Sequence, residues 1–138
     1  MGTVPAVLLV AATPFLIGSQ AISLLATLKV RDSQAAVRRG HGQDALGDAL
    51  AARKIQPWAA STNLQVALVQ EQIGDLAAAH TAIRDAIDRD RSNWRLWMTA
   101  ARIETKLGAI EDARRSLRRA AELNPRSPLF AGIPAAEE

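Results

Sequence analysis

The chain has 138 residues and no cysteine, which excludes disulfides, thiolate metal sites and thiol catalysis. Aromatic residues make up only 4% and tyrosine is absent, a composition that disfavours an antiparallel β fold. The net charge of +3 comes from residues 29–58, where six bases (Lys29, Arg31, Arg38, Arg39, Arg53, Lys54) face three acids; residues 59–138 carry eleven of each sign, so no basic stripe for nucleic acid is present there.

Val4 to Leu28 is a 25-residue stretch with no charged side chain. About 20 apolar residues cross a bilayer core as a helix, so a transmembrane helix over 1–28 is expected, with some tilt. Proline is tolerated in membrane helices, and Pro14 with Gly18 predicts a kink. A secretory signal fits poorly, because nothing basic precedes the apolar run. Residues 29–42 read as a basic juxtamembrane linker or helix. By the positive-inside rule these bases place the following domain in the cytoplasm.

Beyond this segment the sequence repeats. Gly40, Gly74 and Gly108 are spaced by 34 residues; so are Ala45, Ala79 and Ala113, then Ala49, Ile83 and Leu117, and Ala52, Ala86 and Ala120. Pro57 and Pro125 fall on the same frame, with Arg91 between them. Each residue type has a reason to recur. Glycine closes one helix in the left-handed conformation, alanine lets helices approach closely, and proline ends the unit. A period of 34 is that of the tetratricopeptide repeat, a helix–turn–helix unit. Ala60–Asn93 and Trp94–Ser127 resemble two such units. The second carries Trp97, Ala101, Gly108, Ala113, Leu117, Ala120 and Pro125 on signature positions, whereas the first has Asn63 where tryptophan is usual. Gln70 and Glu104 replace the usual aromatic. Gly40–Pro57 matches the second helix of a third unit, whose first helix merges with the membrane segment.

The expected fold is therefore all-α: an N-terminal transmembrane helix, then about two and a half repeats of antiparallel hairpins over 43–127 and a flexible tail over 128–138. Helices are predicted near 4–38, 43–55, 58–73, 75–89, 93–107 and 110–123. Asp44, Asp75 and Asn93 sit where N-caps belong. Leu129, Phe130 and Ile133 either fold back over the last hairpin or fray.

A more specific resemblance joins these features. A terminal apolar segment, then Ile55-Gln56-Pro57-Trp58, Gly74-Asp75, Asn93-Trp94-Arg95-Leu96-Trp97 and Leu123-Asn124-Pro125-Arg126-Ser127-Pro128, resembles the C-terminal region of actinobacterial O-antigen ligase-like membrane proteins. That resemblance implies an accessory tail of a polysaccharide transferase whose catalytic residues lie in a membrane domain absent from this chain. It also implies repeats outside the cytoplasm at a bacterial cytoplasmic membrane, against the charge rule, and it is given the greater weight.

No catalytic constellation emerges. His41 and His80 lack metal-ligand spacing, and no phosphate-binding glycine loop or nucleophile motif occurs. The chain reads as a non-enzyme without cofactor, metal or small-molecule substrate, whose partner is a protein or peptide. In this fold the inner groove is lined mainly by the first helix of each unit. That points to Ser61, Leu64, Gln65, Leu68, Glu71 and Gln72, and to Arg95, Met98, Thr99, Arg102, Thr105 and Lys106. Arg95, Arg102 and Lys106 recur at helical spacing and suit an acidic peptide, with Leu68 and Met98 for apolar contact. The clamp of chaperone-binding repeats is not reproduced. Trp97 is expected in the core, and Trp58 and Trp94, which open their helices, are expected to pack there, with a role as interface anchors the alternative. Arg114, Arg115, Arg118 and Arg119 are expected to form an ion-paired outer face.

Overall fold

The structure, a computed structural model, describes residues 24–131. Helix α1 covers 24–38 of these. It is followed by α2 (Gly42–Ile55), α3 (Ala60–Ile73), α4 (Leu76–Arg89), α5 (Trp94–Lys106) and α6 (Ile110–Leu123), and by a short 3₁₀ turn at Pro128–Phe130. Consecutive helices run antiparallel, and the described residues contain no strand.

The repeat frame governs the turns and the core together. Gly40, Gly74 and Gly108 have φ of 78°, 88° and 77°, the left-handed region that side chains avoid. Each ends a first helix and lets the chain reverse into the second. The small residues on the frame are the contact surface. Ala45, Ala79, Ala49, Ala52, Ala86 and Ala120 have no accessible surface, and Ala113 has 7%. With only a methyl group at these sites the backbones come close. Ile83, Ile87, Leu96, Ile103, Val66 and Val69 then fill the space between hairpins. Full burial of each such side chain favours folding by about 1.5–3 kcal/mol.

Caps follow local chemistry. Asp75 accepts from the Ala78 amide at 3.1 Å and Asn93 from the Arg95 amide at 3.2 Å, as expected. Asp44 does not cap: α2 starts at Gly42, so Asp44 lies within its first turn, where a negative charge still favours the helix dipole. Helix α3 starts at Ala60 rather than 58. Its first turn is fastened by Thr62, whose hydroxyl donates toward the carbonyls of Gln56 and Ala59 at 3.0 and 2.9 Å.

Two expectations change. The first unit is not a half repeat. Helix α1 pairs with α2 as a complete hairpin, through Lys29 Nζ to Asp48 Oδ1 at 2.9 Å and the Ser33 hydroxyl donating to the Ala45 carbonyl at 2.8 Å. The described residues thus hold three hairpins, and the stretch read as a basic juxtamembrane linker or helix is helical as far as residue 38, with Ser33 and Ala36 buried. At the other end, Phe130 is 6% exposed and meets Trp94 edge-on with ring centroids 5.9 Å apart, so the tail folds back there, while Leu129 stays exposed. The tail over 128–138 is therefore anchored at its start; Ile133 lies outside the described residues.

Among the described residues, no helix is long and apolar enough to cross a membrane. Residues 1–23, most of the expected transmembrane helix, lie outside them, and Leu24, Leu25 and Leu28 are exposed at 60%, 54% and 43%.

Candidate functional site

The first helices of the three hairpins, α1, α3 and α5, lie side by side, and two clefts open between them. The cleft between α3 and α5 encloses about 410 Å³ and is lined by Leu68, Glu71, Gln72, Arg102 and Lys106. The cleft between α1 and α3 encloses about 290 Å³ and is lined by residues that include Val30, Arg31, Gln34, Gln56 and Ser61.

The structure separates the expected groove residues into two groups. Leu68, Gln72, Arg102 and Lys106 come together in one cleft. Gln72 is exposed there, and its amide donates to the Val37 carbonyl at 3.5 Å. Gln65 is 5% exposed and turned into the α1–α3 contact, where its amide donates to the Ser33 hydroxyl at 3.0 Å and its carbonyl lies 3.4 Å from Gln34 Nε2. Leu64 is half-buried and packs on the core. Met98 is half-buried, and Arg95 is exposed with its guanidinium 5.1 Å from the Trp94 ring.

Glu71 changes the character of the cleft. Its side chain is nearly buried, and it accepts from Arg102 Nε at 2.9 Å, Arg102 Nη2 at 2.7 Å and Lys106 Nζ at 2.8 Å. The two cations available for an acidic ligand are thus already held by one carboxylate. Burial alone would raise the Glu71 pKa, but hydrogen bonds from Lys106 and Arg102, and their charges, outweigh it and hold the carboxyl below its ordinary value of 4.5.

A pKa lower in the folded state than in the unfolded one means that ionised Glu71 stabilises the fold above the unfolded value. The contribution is lost as pH falls through the folded one. Arg102 and Lys106 are half exposed, so solvent screens the effect, and we expect at most about 1 kcal/mol. Denaturant unfolding below the ordinary carboxylate range should show the native chain losing stability more steeply than Glu71→Gln. Equal slopes would mean that the triad contributes nothing.

Elsewhere, His80 Nε2 on α4 lies 3.1 Å from Glu104 Oε1 on α5, while Glu104 Oε2 is buried without a partner. Glu104 replaces an aromatic at a packing position, and His80 is its link to solvent. Trp97 packs against the core as expected, with its indole donating to the Arg91 carbonyl at 2.9 Å. Of the four arginines expected on an ion-paired face of α6, three pair with carboxylates: Arg114 and Arg119 with Glu111 and Glu122 at 2.8 Å, and Arg115 with Asp112. Trp58 departs from expectation. It sits in the turn before α3 and is 65% exposed, because that helix starts two residues later.

The groove positions on α1 escaped the sequence reading. Extending the 34-residue frame upstream aligns Gln34 with Leu68 and Arg102, and Arg38 with Gln72 and Lys106. The signal was present but hidden by the apolar run that leads into it.

The tetratricopeptide repeat family model matches residues 72–136, which span α4, α5 and α6. Solved structures of this fold superpose on most of the chain. The first repeat domain of Spaghetti (RPAP3), bound to the HSP90 peptide SRMEEVD, has a TM-score of 0.72 at 17% identity, over 77% of this chain and 84% of that one. The repeat domain of Arabidopsis OM64 gives 0.71 at 16% identity, over 78% and 88%. The Yersinia enterocolitica type III secretion chaperone SycD, in complex with a peptide of the translocator YopD, gives 0.69 at 18%, over 83% and 84%. No curated protein matches the chain. The described residues thus form a tetratricopeptide-type repeat array.

Proposed function

We propose that the chain is a non-catalytic peptide-binding module, held at a bacterial membrane by residues 4–28, that seats an acidic segment of a partner protein along α1, α3 and α5. The observation that carries this reading is the charge of the groove helices. Arg31, Arg102 and Lys106 line the two clefts and Glu71 is the single acid there. Arg95 adds an exposed cation on the same α5. Glu71 holds Arg102 and Lys106 in place, and an incoming carboxylate can share them without a change of rotamer, since both remain half exposed. Two of the similar structures hold peptides, and the peptide on the Spaghetti domain has three carboxylate side chains. The resemblance to the tail of O-antigen ligase-like proteins supports an extracytoplasmic position.

The test is fluorescence anisotropy with a labelled glutamate- and aspartate-rich peptide and a lysine-rich counterpart. The acidic peptide should bind, and binding should weaken several-fold as salt shortens the screening length from about 30 Å to about 8 Å. Preference for the lysine-rich peptide would overturn the reading. Carbonate extraction of membranes tests the anchor, and protease protection in sealed vesicles reads its side.

A further inference from the structure

One end of the array combines apolar and basic groups that the peptide groove does not use. The α2–α3 turn presents Trp58, 65% exposed, beside Pro57. On the side of that turn away from the groove, Arg53, Lys54, Pro57, Asn63, Asp85 and Arg89 line an open hollow of about 390 Å³. Arg53 and Lys54 have no carboxylate within ion-pair distance among the described residues, and Arg89 donates only to the carbonyls of Pro57 and Asp85, both at 2.6 Å. Asp85 is the one acid in the hollow, so it carries three positive charges against one negative.

Helix direction brings the apolar start of α1 to the same end. The Lys29–Asp48 and Ser33–Ala45 contacts run α1 and α2 antiparallel, so the first turn of α1 lies beside the last turn of α2. Ala26 and Thr27 share a cleft with Gln56, Ser61 and Thr62. Leu24, Leu25 and Leu28 therefore stand exposed on the end that carries Trp58 and the three cations. Residues 1–23, which carry no charged side chain, join the array there.

We infer that this end of the array lies against an anionic lipid surface, with Trp58 at headgroup depth and Arg53, Lys54 and Arg89 on lipid phosphates. The inference rests on the anchor reading above and gives the repeat domain a fixed orientation on the bilayer. Tryptophan favours the membrane interface because its ring is apolar and its N–H is polar. Bases beside a charge-free segment gain from the negative surface potential, which falls off within a Debye length and therefore requires contact. With the end docked, the α3–α5 cleft, lined by Leu68, Glu71, Gln72, Arg102 and Lys106 near the far ends of those helices, stands away from the bilayer and remains open to a peptide.

The absence of cysteine permits single-site labelling. Full-length Trp58→Cys, in which an aromatic environment-sensitive fluorophore takes the place of the indole ring, and Ile110→Cys with the same label, exposed in the first turn of α6 at the opposite end, are the two reporters. Each is reconstituted in phosphatidylcholine vesicles with and without phosphatidylglycerol. The label at 58 should shift to the blue and be quenched by headgroup spin-labelled lipid, more with phosphatidylglycerol, while the label at 110 should not. Arg53→Gln/Lys54→Gln, which removes no intramolecular ion pair, should lower the docked fraction roughly 25-fold relative to the undocked, about fivefold per cation. A solvent-like label at 58 in chain that resists carbonate extraction would overturn docking and leave the anchor standing. Quenching at 58 in chain that carbonate strips off would sink the anchor and support docking. Shielding at 58 that persists in detergent without lipid would assign the surface to a second copy or to the fold, and overturn the inference.

Discussion

Leu96→Ala is expected to lower the unfolding free energy by about 3 kcal/mol, within the range for deleting a buried leucine side chain. Leu96 is 1% exposed and belongs to the cluster with Ile83, Ile87 and Ile103. It stands at the start of α5, so it joins the second hairpin to the third. In a repeat array each unit is stabilised by its neighbours, and a cavity at the junction weakens both sides of it. Urea unfolding should show a lower midpoint. A broadened transition, with the α5–α6 hairpin melting first, would be a further mark of the junction. Leu129→Ala is the control: that side chain is 66% exposed, and its loss should change stability by less than about 0.5 kcal/mol. A Leu96→Ala cost below that of the control would remove Leu96 from the core.

Arg102→Glu should act on both stability and binding. It replaces the fork that holds Glu71 with a second carboxylate, leaving Lys106 between two negative charges. Glu71 is nearly buried, so its charge is poorly solvated and the repulsion is only partly screened. A loss of about 2 kcal/mol is expected, below the cost of breaking a fully buried pair because one face of the triad is open to water. Affinity for an acidic peptide should fall at least tenfold, about 1.4 kcal/mol. Adding Glu71→Arg swaps the charges and should restore part of the stability. If the swap is as unstable as the single variant, charge pairing is not what Glu71 supplies.

The hairpins were legible because their punctuation is local. Glycine at 40, 74 and 108 is required by a positive φ wherever the partner helix lies, and the alanines between them mark close backbone contact. The ends of α2 to α6 agreed to within two residues, the largest departure being the start of α3, where the Thr62 hydroxyl donates toward the carbonyls of Gln56 and Ala59. The first helix was misread for a physical reason. Leu24, Leu25 and Leu28 continue the apolar run of the preceding segment, so its pattern changes from uniformly apolar to amphipathic without a break.

The site was legible only in part. Helical spacing placed Leu68, Gln72, Arg102 and Lys106 on one face, and they line one cleft, because position along a helix determines direction. It did not show that Gln65 would be consumed by Ser33, 32 residues away, or that Glu71 would hold both cations from 31 residues away in the case of Arg102. Such pairings depend on how successive hairpins are rotated against each other.

The amino-acid order by itself determined helix identity, turn positions and repeat length, since these follow from backbone conformation and residue size within a few turns of chain. Only the tertiary arrangement decided which polar groups are spent inside the protein and which remain for a partner. Burial and ion pairing are properties of facing surfaces, and those surfaces exist only once the hairpins have stacked.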